Sequence, residues 1–214
     1  MKKNISWEYV KKKKKIFLYA GNLPTGIVRI LHYRRKDYVG LSIEKGDCRH
    51  ILHDVTKKYP LDDNSVDAYQ AEDVFEHIDY DDLPKVFDEI YRVLKPGGYF
   101  RLSVPDYRCD ILYERSLKNE SGDIIFDPYG GGRFLDGKVV DGGHLWFPNY
   151  EKVLYLIESS KFNKYIFYHY TKPDGDSVLN SIDYDLGYVQ RTPDNDKRVK
   201  KPVRAMSIVV DLFK

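Results

Sequence analysis

The sequence predicts an α/β fold built on a parallel, doubly wound sheet. Three observations point there. Short apolar runs alternate with helical patterns through the first half of the chain, an order that stacks parallel strands through crossover helices. The stretch from Asp67 to Asp106 reads strand, acidic corner, helix, Pro-Gly-Gly stop, strand, Pro-Asp, the layout of an open sheet that holds a ligand at its strand ends. Two closing strand-like runs, with no strong helix between them, add an antiparallel pair at one edge.

Residues 1–15 hold Lys2, Lys3 and the run Lys11 to Lys15. Such a run is a solvated, self-repelling arm with no core of its own, or a linker within a larger polypeptide. Ile16 to Ala20 is a short apolar run ending at Gly21, as a buried parallel strand would be. Thr25 to Arg35 carries Ile27, Val28, Ile30 and Leu31 at near-helical spacing. Tyr38 to Ile43 is the second strand, Arg49 to Asp54 approaches a third, and Val66 to Ala71 is the fourth, after turn residues Pro60 and Asp62 to Asn64.

The next helix has the clearest signature. Asp81 or Asp82 caps it, Pro84 suits its first turn, and Leu83, Val86, Phe87, Ile90, Val93 and Leu94 form one apolar face. Lys95 favours the negative end of the dipole, and Pro96-Gly97-Gly98 stops the helix. Tyr99 to Val104 is a fifth strand, cut by Pro105. Residues 107–148 are mostly irregular, with aromatics, Gly130-Gly131-Gly132 and Gly142-Gly143, and read as a lid or substrate wall. Asn149 caps a helix running through Lys161, with Val153, Leu154, Leu156 and Ile157 inward. Tyr165 to Tyr170 and Ala205 to Leu212 are the closing strands, and the polar stretch between them is loop.

The bulk properties bound the function. At 214 residues the chain fits one α/β domain, expected over 16–214 behind the basic arm. A net charge of +2 is too small to argue for nucleic acid as a partner. Cys48 and Cys109 form no metal or disulfide framework, so a reducing compartment is the default. With no apolar run near bilayer length and no apolar leader, neither a membrane span nor a secretory signal is expected. A cytoplasmic location follows (the host cytoplasm for a viral protein).

Ligands in such sheets sit outside the carboxyl ends of the strands. The first turn, Tyr19-Ala20-Gly21-Asn22, should therefore approach a cofactor closely. Ser42 and Glu44 fall where an acid usually meets ribose hydroxyls. Asp54 could accept a hydrogen bond from an adenine amino group while Val55 offers its backbone N–H. Glu72, Asp73, Glu76 and His77 cluster after the fourth strand. His77 is a natural general base because an imidazole titrates near neutrality. His144 comes from the loop expected to cover the same face. Asp106, with Asp110 and Asp141 beyond it, could bind sugar hydroxyls or a divalent ion. No His/Asp spacing of a known metal motif is present, so no metal is expected.

The segments Asp54-Val55-Thr56-Lys57, Pro60 to Ala68, Val74-Phe75-Glu76-His77, Glu89 to Gly98 and Ser103-Val104-Pro105-Asp106 resemble the class I S-adenosylmethionine-dependent methyltransferases, and within them the group called methyltransferase type 11. The resemblance is strong over residues 50–106. It implies a Rossmann-like sheet of seven strands with an antiparallel last strand, and S-adenosylmethionine as cofactor with S-adenosylhomocysteine as product. Tyr19 to Gly21 would lie beside the methionine part, Glu44 or Ser42 at the ribose, Asp54 and Val55 at the adenine, and Glu72 and Asp73 near the sulfonium. Two departures stand out. The family's first loop usually reads Gly-x-Gly-x-Gly, and its second strand usually ends in an acid, where this chain has Gly21-Asn22 and Ser42. Both predict weaker cofactor binding and motivate a rival reading, a degenerate fold acting as a scaffold or binding module.

The third-strand phrase and Gly143-His144-Leu145-Trp146 are similar to members found with surface-glycan genes, some joined to a glycosyltransferase domain on the same polypeptide, including in large viruses. The function implied is O-methylation of a sugar hydroxyl, a deoxyhexose such as rhamnose, on a small-molecule or glycan acceptor. His77 or His144 would act as base, with Asp106 or Asp141 orienting the acceptor, and Tyr107, His144 and Trp146 completing its wall. A lipid, quinone or amine acceptor is the alternative, and nucleic acid is not expected.

Overall fold

The computed structural model describes residues 5–24, 37–44 and 48–214. The predicted helix over Thr25–Arg35 lies outside the described residues. Helix α1 (Trp7–Lys11) opens the described chain, with the Ser6 hydroxyl accepting from Tyr9 N. The basic segment is thus not wholly a solvated arm. Val10 is fully buried, and Trp7 sets its ring edge-on to His53, 5.1 Å between centroids. The lysines flanking that apolar stripe stay largely in water.

Strands β1 (Phe17–Ala20), β2 (Val39–Ser42), β3 (His50–Leu52), β4 (Val66–Glu72) and β5 (Leu94–Pro105) form a parallel set in the order β3-β2-β1-β4-β5. Between β4 and β5 runs helix α2 (Leu83–Val93), and after β5 come α3 (Asp110–Arg115) and two small hairpins, β6–β7 (Leu117–Lys118, Ile124–Phe126) and β8–β9 (Arg133–Leu135, Lys138–Val140). Helix α4 (Tyr150–Glu158) leads to β10 (Lys164–Thr171), β11 (Ser177–Leu179) and β12 (Ser207–Phe213). The last strand, β12, slots antiparallel between β5 and β10. The predicted fold class is present, mostly parallel with an antiparallel final strand. An eighth strand extends it: β11, expected as loop, pairs antiparallel with the end of β10. Three residues are too short a run to announce a strand by pattern.

Three local expectations change. Asp82 sits at the N-cap of α2 without a cap bond; Asp79 instead accepts from Asp81 N and starts the 3₁₀ turn that feeds the helix. Pro96-Gly97-Gly98 is not the helix stop. Leu94 already has extended backbone and pairs with Val66, and residues 95–98 bulge out before pairing resumes at Tyr99. Lys95 accordingly leaves the helix end and bonds Asp67 at 2.7 Å. Helix α4 ends at Glu158, not Lys161, because Ser160 Oγ turns back onto Ile157 O and Phe162 enters the core.

Side chains alternate across the sheet, as the period of two demands. One face carries Leu18, Tyr69, Ala71, Phe100, Leu102, Val210 and Leu212, and packs against Val86, Phe87, Ile90 and Val93 of α2 and Val153, Leu156 and Ile157 of α4. Each such burial contributes about 1.5–3 kcal/mol. The other face carries Tyr19, Gln70, Arg101 and Asp211, all buried. Its polarity needs partners. Arg101 and Asp211, opposite each other on β5 and β12, form a two-pronged ion pair at 2.7 and 2.6 Å. Residues 182–196, without a helix, roof this face. The carbonyls of Asp183 and Gly187 accept from Arg101, that of Leu186 from Tyr99 Oη, and that of Tyr188 from Gln70. Gly187 permits the approach, since a Cβ there would stand 2.5 Å from Gln70 Oε1.

Candidate functional site

A cleft of about 500 Å³ opens at the carboxyl ends of β1, β2 and β3 and is closed on one side by the β4–α2 connection. It lies beside β1 and β4, where the strand order reverses, the expected ligand position in an open α/β sheet. Gly21 forms its floor with φ +79°, a left-handed conformation that glycine tolerates best, and a Cβ there would meet Val74 Cγ2 at 2.9 Å. Asn22 stands beside it. From β2 come Leu41, Ser42, Ile43 and Glu44, with Ser42 Oγ accepting from Glu44 N at 3.2 Å. From beyond β3 come His53, Asp54, Val55 and Thr56. Burial pushes the Asp54 carboxyl up, but hydrogen bonds from Thr56 N and Oγ1 to its Oδ1 outweigh that and hold it below the usual range. Glu44, Asp54, Asp79 and Asp82 line the cleft with carboxylates, so it favours a ligand with positive charge.

At the far wall stands His77, half-buried on a 3₁₀ turn (Phe75–His77). Segment 142–146 is fastened to that turn three times. His77 Nδ1 meets Gly142 O at 2.8 Å, Leu145 N donates to Glu76 O, and Trp146 Nε1 donates to Phe75 O. These bonds bring His144 against His77 with ring centroids 4.7 Å apart. Behind it, the Tyr107 hydroxyl lies 2.5 Å from His144 Nδ1 and donates to Asp127 Oδ2 at 2.7 Å, a carboxylate also held by Arg115. Burial drives the His144 pKa down to about 3, so its ring is neutral. Glu76 is fully buried with no hydrogen bond to either oxygen, and burial pushes its carboxyl well up, with the Asp73 charge adding to the shift.

The structure brings Gly21, Asn22, Ser42, Glu44, Asp54, Val55 and His77 together around one cleft. His144 lies behind His77, 4.7 Å between ring centroids, and the other anticipated residues lie elsewhere. Ala20 is sealed in the apolar core and Tyr19 on the opposite polar face. Glu72 accepts from Gln190 N at 2.5 Å, and Asp73, with φ +57°, pairs with Arg191; both face the roof. Asp106 is completely buried, accepting from Arg108 N and Thr171 N, and burial raises its pKa to about 6. It ties β5 to β10 and has no access to a ligand. Asp141 is on the exposed β8–β9 hairpin, bonded to Arg133. Trp146 packs in the core against Tyr80. Tyr107 and His144 are buried partners of each other. Thr56, Asp79 and Asp127 were missed. Asp127 gives no sequence signal, whereas Thr56, two residues after Asp54, is where an Asx turn would place a donor.

Residues 29–102 match the family model described as a methyltransferase domain, Methyltransf_11. No curated protein sequence matches the chain. Among solved structures, an S-adenosylmethionine-dependent methyltransferase from Archaeoglobus fulgidus aligns over 97% of this chain and 89% of its own, with a TM-score of 0.53 and 15% identity. One from Methanosarcina mazei covers 99% of this chain and 98% of its own, at 0.52 and 14%. The Burkholderia thailandensis 1,6-didemethyltoxoflavin-N1-methyltransferase, solved with bound 1,6-didemethyltoxoflavin and S-adenosylhomocysteine, aligns over 94% of this chain and 71% of its own, with a TM-score of 0.52 and 10% identity. At these identities the likeness is one of fold. Over residues 29–102 the chain is similar to that methyltransferase-domain family, and over most of its length it shares the fold of these S-adenosylmethionine-dependent methyltransferases.

Proposed function

We propose that this protein transfers a methyl group from S-adenosylmethionine to a hydroxyl of a small polar acceptor, a sugar of the deoxyhexose class such as rhamnose. The single observation that carries the reading is the continuity of the cleft, which runs from Gly21 and the strand-end carboxylates to the half-buried ring of His77. The residues present fit the cofactor. Val55, Ile43 and Ile78 offer apolar walls for a purine; Ser42 and Glu44 can accept from ribose hydroxyls, and the Asp54 oxygen not used by Thr56 can accept from an adenine amino group. The cofactor supplies an electrophilic methyl on a positively charged sulfur.

The chain's own work is to hold the acceptor and take its proton. The Gly142 carbonyl can only accept, so His77 keeps its proton on Nδ1 and its Nε2 lone pair is left to receive another. His144, buried and driven to low pKa, is the poorer base. Asn22, Asp79 and Asp82 beside His77 suit a hydroxyl-rich acceptor better than a lipid tail. The toxoflavin enzyme, named for methylation at a nitrogen, keeps a nitrogen acceptor such as an amine as the second reading.

Isothermal titration with S-adenosylmethionine and S-adenosylhomocysteine is the first test, and micromolar binding of both is expected. An acceptor screen with methyl deoxyhexosides, amines and quinones then follows by methyl-transfer assay. His77→Ala should lower turnover about 10²–10⁴-fold with S-adenosylhomocysteine affinity nearly intact. Absence of cofactor heat, with no change in melting temperature, sinks the reading in favour of a binding module.

A further inference from the structure

We propose that Glu76, His77 and His144 form a binding site for one divalent transition-metal ion of the zinc class, opening on the acceptor end of the cleft. The three residues each offer a ligand atom, and those atoms lie within 4.8 Å of one another. No other cluster of this kind occurs among the described residues. Two imidazoles with one carboxylate are a ligand set that suits zinc and its neighbours, and three protein ligands leave a position open for water or substrate.

The surroundings match what such a site needs. In a metal site each imidazole donates its distal N–H to a carbonyl or carboxylate, which fixes the tautomer and aims the other nitrogen. His77 does this through Nδ1 to Gly142 O. His144 does it through Nδ1 to the Tyr107 oxygen, whose own proton goes to Asp127, an acceptor only. Both Nε2 lone pairs are therefore the ones left over, and His144 Nε2 stands 3.7 Å from Glu76 Oε1. Glu76 is the independent observation. A fully buried carboxyl with neither oxygen hydrogen-bonded is costly, and a general-base role for a histidine gives no reason to keep it there. A cation does. The local charge also allows one: Glu72, Asp73 and Glu76 face a single guanidinium, Arg191, which is already paired with Asp73. Contraction to bonds of about 2.0–2.2 Å asks mainly for movement of the half-buried His77.

For catalysis this rests on the methyl-transfer reading; for binding it does not. With a cation present, the lone pair of His77 becomes a ligand. The acceptor hydroxyl at the open position is acidified as bound water is, releasing its proton to solvent and keeping the electron pair on oxygen.

The test begins with protein stripped by chelator and dialysis. Cobalt(II) is titrated in and followed by its visible absorption, with zinc(II) as competitor. One equivalent is expected, displaced by zinc. Glu76→Gln and His77→Asn should each abolish the signal, and Tyr107→Phe, which removes the hydroxyl linking His144 to Asp127 and no ligand atom, should weaken binding about 10–100-fold. Thermal melts of each variant report folding, and His77→Asn, at a half-buried position, covers the case in which Glu76→Gln does not fold. No absorption at millimolar cobalt, or equal binding by every folded variant, overturns the site. Full methyl transfer by the stripped protein overturns its role and leaves the proposed function standing. Stoichiometric cobalt binding without any S-adenosylhomocysteine binding supports the site and removes the proposed function.

Discussion

Asp211→Asn is a severe test of how the polar face of the sheet is held. Asp211 and Arg101 are both completely buried, and the carboxylate takes two of the guanidinium's hydrogen bonds, at 2.7 and 2.6 Å. The other prongs hold the carbonyls of Asp183 and Gly187. Asparagine keeps the volume but strands a positive charge in the interior. Breaking a buried pair in this way costs about 3–5 kcal/mol, a large part of the roughly 5–15 kcal/mol that holds a domain folded. For a chain of this length that is a fall of about 6–20 °C in melting temperature. Urea unfolding followed by circular dichroism measures it at 25 °C. The single variant Arg101→Met should be as damaging, because it leaves Asp211 charged and two roof carbonyls unpaired. The double variant Arg101→Met/Asp211→Leu removes both charges, leaving only the carbonyls, at about 1–3 kcal/mol each. It should fall at least about 2 kcal/mol short of the summed losses of Arg101→Met and Asp211→Leu measured singly. Additivity within about 0.5 kcal/mol, the behaviour of independent sites, would refute the reasoning. So would a loss below about 1 kcal/mol for Asp211→Asn.

Three further outcomes follow from the geometry. Gly21→Ala places a Cβ 2.9 Å from Val74 Cγ2 at φ +79°, so S-adenosylhomocysteine affinity by calorimetry should fall at least about tenfold, a left-handed alanine alone costing about 1–2 kcal/mol; Val74→Ala should recover part of it. Burial raises the Glu89 carboxyl, but hydrogen bonds from Arg92 and Tyr59 N more than reverse this. Its folded pKa is depressed, so its contribution is full above the ordinary value of 4.5 and is lost as pH falls through the folded one; Glu89→Gln should lower stability at neutral pH and flatten the acid limb of a melting-temperature profile. Phe87→Ala, in the aromatic contact with Phe75, Phe100 and Phe162, should cost about 3–5 kcal/mol in urea while leaving the cleft residues in place.

What could be read from the residues was what local pattern encodes. The apolar stripe of α2 has helical period, so Leu83, Val86, Phe87, Ile90 and Val93 were identifiable as core. Strand ends mark the ligand side of an α/β sheet, so Gly21, Ser42 and Asp54 were identifiable as cleft residues. Asp106 shows the limit of that rule. It also ends a strand, but β10 covers it and Thr171 N takes its carboxylate. The meeting of Glu76 with His144 depends on hydrogen bonds between turns far apart in the chain, which no spacing displays. The roof was unreadable for a different reason: it is joined to the sheet through its main-chain carbonyls, and those are the same for every residue type.

That last property has an evolutionary consequence. Just before β2 and along β4 and β5 the donors are side chains, Tyr38, Gln70, Tyr99 and Arg101, whereas the roof answers with the carbonyls of residues 183, 186, 187 and 188. Substitution at residues 183, 186 and 188 therefore leaves these bonds in place, provided residue 187 stays glycine, whereas Ile182 and Val189 are held by burial against Val209. The sheet bears most of the polar constraint, and the cover is free to drift at the positions that contribute only a carbonyl. Since Gln190 and Arg191 reach from this cover to Glu72 and Asp73 at the strand ends, relatives could exchange the chemistry bordering the site by rewriting one loop, with no repacking of the core beneath it.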